Sequence, residues 1–323
     1  MNRIKTIGVL TSGGDAPGMN AAIRAVVRAG IFHGFKVLGI KKGYNGLING
    51  EVFEMNLRSV SDIIKQGGTI LQTARCPEFM EEEGILKGIK MAQVFEIDAI
   101  VVIGGDGSYR GARDMSKLGA KVIGLPGTID NDIACTDYTI GYDTAMNTAL
   151  EALDKIKDTA SSHDRCSVFE VMGRRAGYIA LNVAIAGGAE VALVPEKPFD
   201  MNKDVIKPII SAKNRGKSHF VVIVAEGVGG AIDIAKTIEE KTGIEARATI
   251  LGHIQRGGSP SVQDRVVASK MGTRAVELLK EGKYNRIVGM KNSEIIDVDI
   301  IDALNMKKTI DEYEYDLVRV LSM

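Results

Sequence analysis

Two carboxylates separated by one residue follow a threonine in the run PGTIDND, at residues 126–132. They are Asp130 and Asp132, and the threonine is Thr128. In phosphoryl transfer, one carboxylate can accept the proton of the attacking hydroxyl while a second orients or assists. The same run would also form an Asx-rich turn that hydrogen-bonds to its own backbone. On these residues alone both interpretations stay open.

Two glycine-rich runs offer a second kind of chemistry. One is TSGGDAPG, which contains Gly14, and the other is GGDGS at residues 104–108. Glycine lets backbone amides approach an anion closely, and the N-terminus of a following helix adds a favourable partial charge. Asp106 could hold a cation that bridges phosphates, because Mg²⁺ needs few carboxylates when phosphate and water complete its shell. Neither run has the spacing of a P-loop or a dinucleotide fingerprint, so a tight strand–helix turn remains the alternative for an isolated glycine pair.

Several arginines adjoin glycine pairs or predicted strand ends. A guanidinium can bind phosphate through two parallel hydrogen bonds, whereas a single surface arginine is usually a solvated charge. The five are Arg75, Arg165, Arg174, Arg247 and Arg256. A separate pair, Arg24 and Arg28, is spaced by four residues on a predicted helix. That spacing puts both on one helix face, as either a solvated basic stripe or a separate anion site.

Short apolar runs alternate with helical patterns, which predicts βαβ units and a mainly parallel sheet. Strands are predicted over residues 6–10, 36–40, 99–103, 121–125, 167–171, 191–194, 220–225 and 286–290, and helices over residues 18–31, 84–95, 107–117, 144–161, 175–186, 202–214, 230–242 and 262–280. Ligands of such folds bind beyond the carboxyl ends of the strands. Five strand–helix junctions carry glycine beside a charged or hydroxyl residue, so we expect them to share one site.

Composition limits the function classes. The 323 residues favour two domains, and 41 basic against 41 acidic residues leave no net charge. No global field therefore draws the chain to nucleic acid or to a membrane, and neither partner is expected. The three cysteines show no CxxC pairing and no histidine has metal-ligand spacing, which indicates reduced thiols in a cytoplasmic protein without a Cys/His metal site.

Five motifs occur in order along the chain: TSGGDAPGMNAAIR, VVIGGDGS, PGTIDND, EVMGR and LGHIQRGGSP. Their sequences and spacing resemble the bacterial ATP-dependent 6-phosphofructokinase family of the homotetrameric type, over essentially the whole chain. The resemblance implies two doubly wound α/β domains with mainly parallel sheets and an active site in the cleft between them. The larger, ATP-binding domain would comprise residues 1–140 and 254–304. The smaller, sugar-phosphate-binding domain would comprise residues 141–253 and 305–323.

The resemblance also implies a reaction, the transfer of the γ-phosphoryl of MgATP to the 1-hydroxyl of fructose 6-phosphate in glycolysis. Asp130 would accept the proton, with Asp132 and Thr128 flanking the transferring group, while Arg75 and Arg174 would stabilise charge. Gly14 would lie close to the phosphates. The ATP site would be lined by Gly14, Arg75, Cys76, Gly105, Asp106, Gly107 and Ser108, with Asp106 as the Mg²⁺ ligand. The sugar phosphate would be bound by Thr128, Ile129, Asp130, Arg165, Met172, Gly173, Arg174, Glu226, Arg247, His253, Ile254, Gln255 and Arg256.

Assembly and regulation are implied in the same way. Members of the family are homotetramers in which the residues equivalent to Arg165 and Arg247 reach into a neighbouring subunit's active site. ADP would activate and phosphoenolpyruvate would inhibit at an effector site between subunits. That site would comprise Arg24, Arg28, Lys157, Gly188, Ala189, Glu190, Arg215, Lys217, Ser218 and His219.

Three alternatives are weighed against this interpretation. A sister group uses pyrophosphate and tends to carry Asp after GGD and Lys before TIDND, whereas this chain has Gly107 and Gly127, which favour ATP. A non-catalytic regulator with the same fold would need to have lost Asp130, Asp106 or Arg174, and all three are present. A dehydrogenase is disfavoured because no dinucleotide fingerprint appears.

Overall fold

The computed structural model describes residues 4–161 and 163–322 and confirms the predicted α/β class with two sheets. Strands β1 to β11 are Thr6–Thr11, Lys36–Ile40, Val52–Met55, Ala99–Gly104, Val122–Pro126, Cys166–Val171, Val191–Leu193, Phe220–Ala225, Ala246–Ile250, Arg286–Lys291 and Glu294–Asp299. Helices α1 to α11 are Met19–Phe32, Gly43–Asn49, Glu82–Val94, Asp106–Lys117, Tyr142–Ser161, Tyr178–Gly187, Lys207–Asn214, Ala231–Thr242, Val262–Lys280, Ile300–Asn305 and Glu312–Leu321. Short 3₁₀ helices lie at Ile63–Lys65, Pro77–Met80 and Gly252–Arg256, and Met201–Ile206 is π-helical.

The chain divides into two compact units. Unit 1 is Met1–Ile129, Ile133–Thr144 and Arg256–Lys308, and unit 2 is Asp130–Asp132, Ala145–Gln255 and Thr309–Met323. These limits differ from the predicted boundaries at residues 130–132, 141–144, 254–255 and 305–308. Which ligand each unit holds stays a prediction.

Unit 1 contains the seven-stranded sheet, in the order β11-β10-β5-β4-β1-β2-β3. Its five inner strands are parallel, while β3 and β11 pair antiparallel at the two edges. Every residue of β1, β4 and β5 is buried, as expected for strands covered on both faces. The register aligns Thr11 with Ile103 and Gly104 with Pro126, so these three strands end at one level.

Unit 2 contains a four-stranded parallel sheet in the order β7-β8-β6-β9. Its apolar core includes Val168, Leu193 and Val222, all almost fully buried. At a rise of about 3.3 Å per residue, the six residues of β6 separate the two edges of this sheet by about 20 Å. Residues before the strands and residues after them therefore belong to two distinct surfaces.

The sequence pattern located the inner strands and the fully buried edge strand β7 but missed β3, β9 and β11. All three are edge strands, and the burial of β9 and β11 is only partial along most of their length. An edge strand keeps polar residues on its open side, so it lacks the continuous apolar run that marks an inner strand. Among the described residues, no helix is long and apolar enough to cross a membrane.

A buried carboxylate fixes the chain where it leaves unit 1. Asp264, in the first turn of α9, is fully buried and accepts hydrogen bonds from the Tyr138 hydroxyl (2.6 Å), the Gly141 amide (2.7 Å) and the Thr144 amide (2.9 Å). The Thr144 hydroxyl also donates to Asp264 and accepts from the Ser261 amide at 2.9 Å. These bonds explain why residues 141–144 belong to unit 1.

We expect Asp264→Asn to destabilise the protein, because one acceptor oxygen is replaced by an amide that faces hydrogen-bond donors. A buried donor without an acceptor costs about 1–3 kcal/mol, so the free energy of unfolding should fall by about 2–4 kcal/mol. The midpoint of urea denaturation measures this change. Tyr138→Phe removes one donor and leaves the backbone amides paired, so it should cost only about 1 kcal/mol. Equal midpoints for Asp264→Asn and the unsubstituted protein would contradict a stabilising role for the Asp264 hydrogen bonds.

Candidate active site

Three loops of unit 1 meet where β1, β4 and β5 end. The Ser12 amide donates to the Ile103 carbonyl at 3.0 Å, and the Gly127 amide donates to the Gly104 carbonyl at 3.0 Å. The runs TSGG, GGDGS and PGT, which the sequence placed at separate junctions, are thus joined by backbone hydrogen bonds. Parallel strands ending at one level are the reason.

At Gly104 the loops lie so close that there is no room for a side chain. A Cβ at Gly104 would lie 2.5 Å from the Ser12 carbonyl oxygen and 2.5 Å from the Ser108 Oγ. One at Gly105 would lie 3.6 Å from the Thr128 Cβ, which is ordinary contact. GGDGS therefore packs directly against the start of PGTIDND, and its backbone faces the Thr128 side chain.

Asp106 begins α4, where the helix N-terminus is exposed to an incoming anion. Its carboxylate pairs with Arg110 one turn later, with Nε–Oδ2 at 2.8 Å and Nη2–Oδ1 at 3.3 Å. Sequence reasoning did not anticipate this partner, although the spacing of four residues is its signal. Gly107 is exposed, and a Cβ there would have no atom within 4 Å.

Arg256 lies against the glycine pair that follows β1. Its Nη1 donates to the Asp15 carbonyl at 3.1 Å, and an ideal Cβ at Gly14 would be 2.4 Å from the same nitrogen. The sequence grouped Arg256 with the sugar-phosphate residues and Gly14 with the ATP residues. Within unit 1 the structure brings these two residues into contact.

The loop that carries Arg75 is tied to α1 and to the end of β1. The buried Asn20 side chain donates to the Gln66 carbonyl at 3.1 Å and accepts from the Ile70 amide at 2.8 Å. The Arg75 side chain is exposed, whereas burial raises the pKa of the Cys76 thiol. Cys76 is therefore a thiol at neutral pH, which suits a lining residue and not a nucleophile.

The PGTIDND run spans both units along the chain. Thr128 and Ile129 belong to unit 1 and are buried, while 130–132 belong to unit 2. Asp130 is only 3% exposed, whereas Asp132 is exposed. Burial, followed by the carboxylates of Glu196 and Asp132, raises the pKa of Tyr178 to about 12. Tyr178 is thus a neutral hydroxyl near Asp132 that sequence reasoning missed.

Two side chains hold the EVMGR loop at the carboxyl edge of the unit 2 sheet. The Glu226 carboxylate accepts from the Gly173 amide at 3.3 Å and from the Arg174 amide at 3.0 Å. Gln255, fully buried, accepts from the Met172 amide at 2.8 Å through Oε1. Arg174 itself is exposed, with a left-handed φ of 53°. His253 and Ile254, which precede Gln255 on the 3₁₀ helix after β9, are also exposed.

Arg165 and Arg247 lie at the opposite, amino edge of the same sheet. Arg165 immediately precedes β6 and Arg247 is the second residue of β9. Both are paired with the carboxylate of Glu245, a residue that the sequence analysis did not single out. Within one chain, Arg165 and Arg174 therefore cannot both contact one small ligand, because they lie at opposite ends of β6, about 20 Å apart.

The predicted effector residues of unit 2 also lie at the amino edge. Glu190 accepts from the Val221 amide at 2.6 Å and pairs with Lys217, and Lys157 donates to the Gly187 carbonyl at 2.8 Å. Gly188 and Ala189 lead into Glu190, Ser218 and His219 precede β8, and Arg215 follows α7. A cavity of about 390 Å³ lined by Glu190, Lys203, Lys207, Arg215, Tyr315 and Arg319, among others, adjoins them. Arg24 and Arg28 lie on α1 of unit 1, partly and fully exposed respectively.

Comparison with known proteins identifies the family. A family model described as Phosphofructokinase matches residues 6–279. The chain belongs to the phosphofructokinase family. It is 60% identical over 319 residues to a Clostridium botulinum protein named ATP-dependent 6-phosphofructokinase, with 99% of this chain and 100% of the relative covered. An Alkaliphilus metalliredigens protein of the same name is 58% identical over 320 residues, with 99% and 100% covered.

A solved phosphofructokinase structure agrees with the fold. The Pichia pastoris enzyme, described as in the T-state, superimposes with a TM-score of 0.90 at 36% identity. The match covers 94% of this chain and 36% of that one, so this chain spans about a third of the Pichia pastoris chain. The two sheets and their order are thus those of a phosphofructokinase.

Gly14→Ala tests the contact between the phosphofructokinase motifs TSGG and HIQRGG. The new Cβ would force the Arg256 guanidinium to move, which breaks its bond to the Asp15 carbonyl but strains only the end of a flexible side chain. We expect activity to fall roughly 10- to 100-fold while the urea midpoint is unchanged, because small displacements of a binding group are costly. In an Arg256→Ala background the same substitution should have little further effect. An equal loss in both backgrounds would show that Gly14 acts independently of Arg256.

Proposed function

We propose that this phosphofructokinase transfers the γ-phosphoryl of MgATP to the 1-hydroxyl of fructose 6-phosphate, giving fructose 1,6-bisphosphate and ADP. The observation that carries the proposal is the full-length identity of 60% to a protein named ATP-dependent 6-phosphofructokinase, with every predicted catalytic residue present. The hydrogen bond from the Gly127 amide to the Gly104 carbonyl supports the proposal, since it joins GGDGS to the start of PGTIDND within unit 1.

In the proposed reaction Asp130 accepts the proton of the attacking hydroxyl. Its near-complete burial favours this role, because a proton acceptor shielded from water keeps a fixed geometry and is not diverted by solvent. Thr128 and Asp132 orient the transferring group, and Arg75 and Arg174 stabilise charge in the transition state. Both arginines are exposed, so they are available to a ligand.

The phosphate-binding part uses Gly14 and the backbone from Gly105 to Ser108. Asp106 would hold Mg²⁺. One carboxylate can suffice, because phosphate oxygens and water complete the coordination of Mg²⁺. When bound, Mg²⁺ neutralises charge on the phosphates. Arg110 keeps the Asp106 carboxylate at the helix N-terminus, where both can face the nucleotide.

The sugar phosphate is proposed to use two groups of residues. At the carboxyl edge of unit 2, Glu226 and Gln255 hold the Met172–Arg174 segment, whose exposed arginine is free to grip an anion. Arg165 and Arg247 would act on the active site of a neighbouring subunit, which explains their position at the other edge. This division supports the proposed homotetramer, and sedimentation of the protein as a monomer would contradict it.

A coupled assay tests the activity. ADP should form only when fructose 6-phosphate and MgATP are both present, and Asp130→Asn should lower kcat by roughly 10²- to 10⁴-fold with ATP binding retained. Asp137→Asn, an equal charge change seven residues later, is the matched control and should keep its activity. No turnover by the unsubstituted protein with either ATP or pyrophosphate would favour a non-catalytic regulator.

The choice of ATP over pyrophosphate can be tested at Gly107. Because a Cβ there meets no atom within 4 Å, both Gly107→Ala and Gly107→Asp fit the fold. We expect Ala to keep the KM for ATP within about twofold, and Asp to raise it more than about tenfold by repelling the α-phosphate. Matching KM values for the two variants would count against the donor assignment. Gly127 offers no such test, since a Cβ there would lie 3.0 Å from Ile103 Cγ2 and 3.1 Å from Met19 Cε.

ADP and phosphoenolpyruvate are proposed as activator and inhibitor at the amino-edge residues. The support is chemical, since several cations lie beside the 390 Å³ cavity and both effectors are anions. We expect the velocity curve for fructose 6-phosphate to be sigmoidal, to shift left with ADP and to shift right with phosphoenolpyruvate. A hyperbolic curve that neither compound moves would refute regulation while leaving the catalytic proposal intact.

A further inference from the structure

Two arginines converge on one carboxylate at the amino edge of the four-stranded sheet. Arg165 Nε donates to Glu245 Oε2 at 2.8 Å. Arg247 Nε donates to Glu245 Oε1 at 2.9 Å, and its Nη2 is 2.8 Å from the same oxygen. Each carboxylate oxygen thus serves one guanidinium, as the oxygens of a phosphate group would.

The strand register holds the three residues together. Cys166 is aligned with Ala246 and Ser167 with Arg247 in the parallel ladder of β6 and β9. The Cys166 amide donates to the Glu245 carbonyl at 2.9 Å, which fixes the backbone of the glutamate. The pairing of β6 with β9 therefore brings the backbones of the three residues together.

The charges of the cluster do not cancel, since two cations share one anion. The Arg165, Glu245 and Arg247 side chains are 21%, 41% and 66% exposed, so a dissolved anion can reach them. Hydrogen bonds from Arg165 and then from Arg247 lower the pKa of Glu245. The carboxylate is consequently ionised throughout the neutral range in which an assay is run.

We infer that Glu245 is an internal counter-anion that competes with the phosphate group of the sugar phosphate for Arg165 and Arg247. The inference rests on the proposed function, in which these two arginines bind that phosphate. A bound phosphate would lie beside the glutamate, and repulsion between the two anions would weaken binding. Glu245 thereby sets the affinity for the sugar phosphate without touching the reacting atoms.

A different role would have the opposite sign. If Glu245 orients the two guanidiniums for the ligand, its removal should weaken phosphate binding. Glu245→Gln keeps the size and one acceptor oxygen but removes the charge, and Glu245→Ala removes both. The direction of the change in KM for fructose 6-phosphate therefore separates competition from orientation.

We expect both variants to lower the KM for fructose 6-phosphate about three- to fivefold, the scale of an interaction between partly exposed charges. The KM for ATP and kcat should stay within about twofold. Glu151→Gln is the matched control. It removes the same charge from an exposed glutamate that pairs with Lys155 at 2.6 Å and whose pKa is likewise lowered by its partner. An unchanged or higher KM for fructose 6-phosphate in both Glu245 variants would overturn the inference.

Direct binding of inorganic phosphate gives a readout that needs no turnover. Titration calorimetry should show tighter phosphate binding to Glu245→Gln than to the unsubstituted protein, and the gain should vanish when Arg247→Ala is added. A gain that persists without Arg247, or no gain at all, would refute competition at this cluster. Failure of the coupled assay with unsubstituted protein would instead refute the proposed function, so the two failures are distinguishable.

Discussion

The close approach of three backbone segments at the carboxyl edge of the seven-stranded sheet is the constraint on which the TSGG, GGDGS and PGT loops depend. Gly104 leaves no room for a Cβ beside Ser12 and Ser108, and Gly127 leaves little beside Ile103 and Met19. The strands end at the same level, and glycine at these positions allows the loops to approach and form backbone hydrogen bonds with each other. That contact places Asp106 at the start of α4, where its carboxylate also pairs with Arg110.

Polar side chains hold the remaining loops. Asn20 anchors residues 66–70 to α1, Asp264 anchors residues 138–144 to α9, and Glu226 anchors the segment after β6. Each bonds to backbone groups of a chain segment distant in sequence. A buried or half-buried acceptor is a rigid anchor because leaving its donors unpaired is costly. The backbones of these loops are thus fixed by side chains that belong to other parts of the chain.

Sequence reasoning recovered what is periodic or local. Inner strands are continuously apolar, and the motif glycines mark the strand ends, so the class of fold followed from the pattern and the family from the motifs. The roles of the site residues stay predictions. Edge strands such as β9 were missed because half of each is solvated. Glu245 and Asp264 were missed because Arg165 and Gly141, which bond to them, lie 80 and more than 100 residues away, and no spacing rule connects such residues. The contact between Arg256 and Gly14 was hidden for the same reason.

The unit 2 sheet has an arginine just before β6 and another just after it, and the length of the strand gives this a consequence. Arg174 follows β6 and Arg165 precedes it, so about 20 Å of strand separates them. A sugar phosphate that needs both must lie between two chains, each of which lends its amino edge to the other. Arg165 and Arg247 would then bind the substrate of a neighbouring subunit, whereas Glu245 pairs with them within their own chain. Under the proposed function, substrate binding at one subunit therefore requires an ion-pair exchange in another, which is a physical basis for coupling between sites.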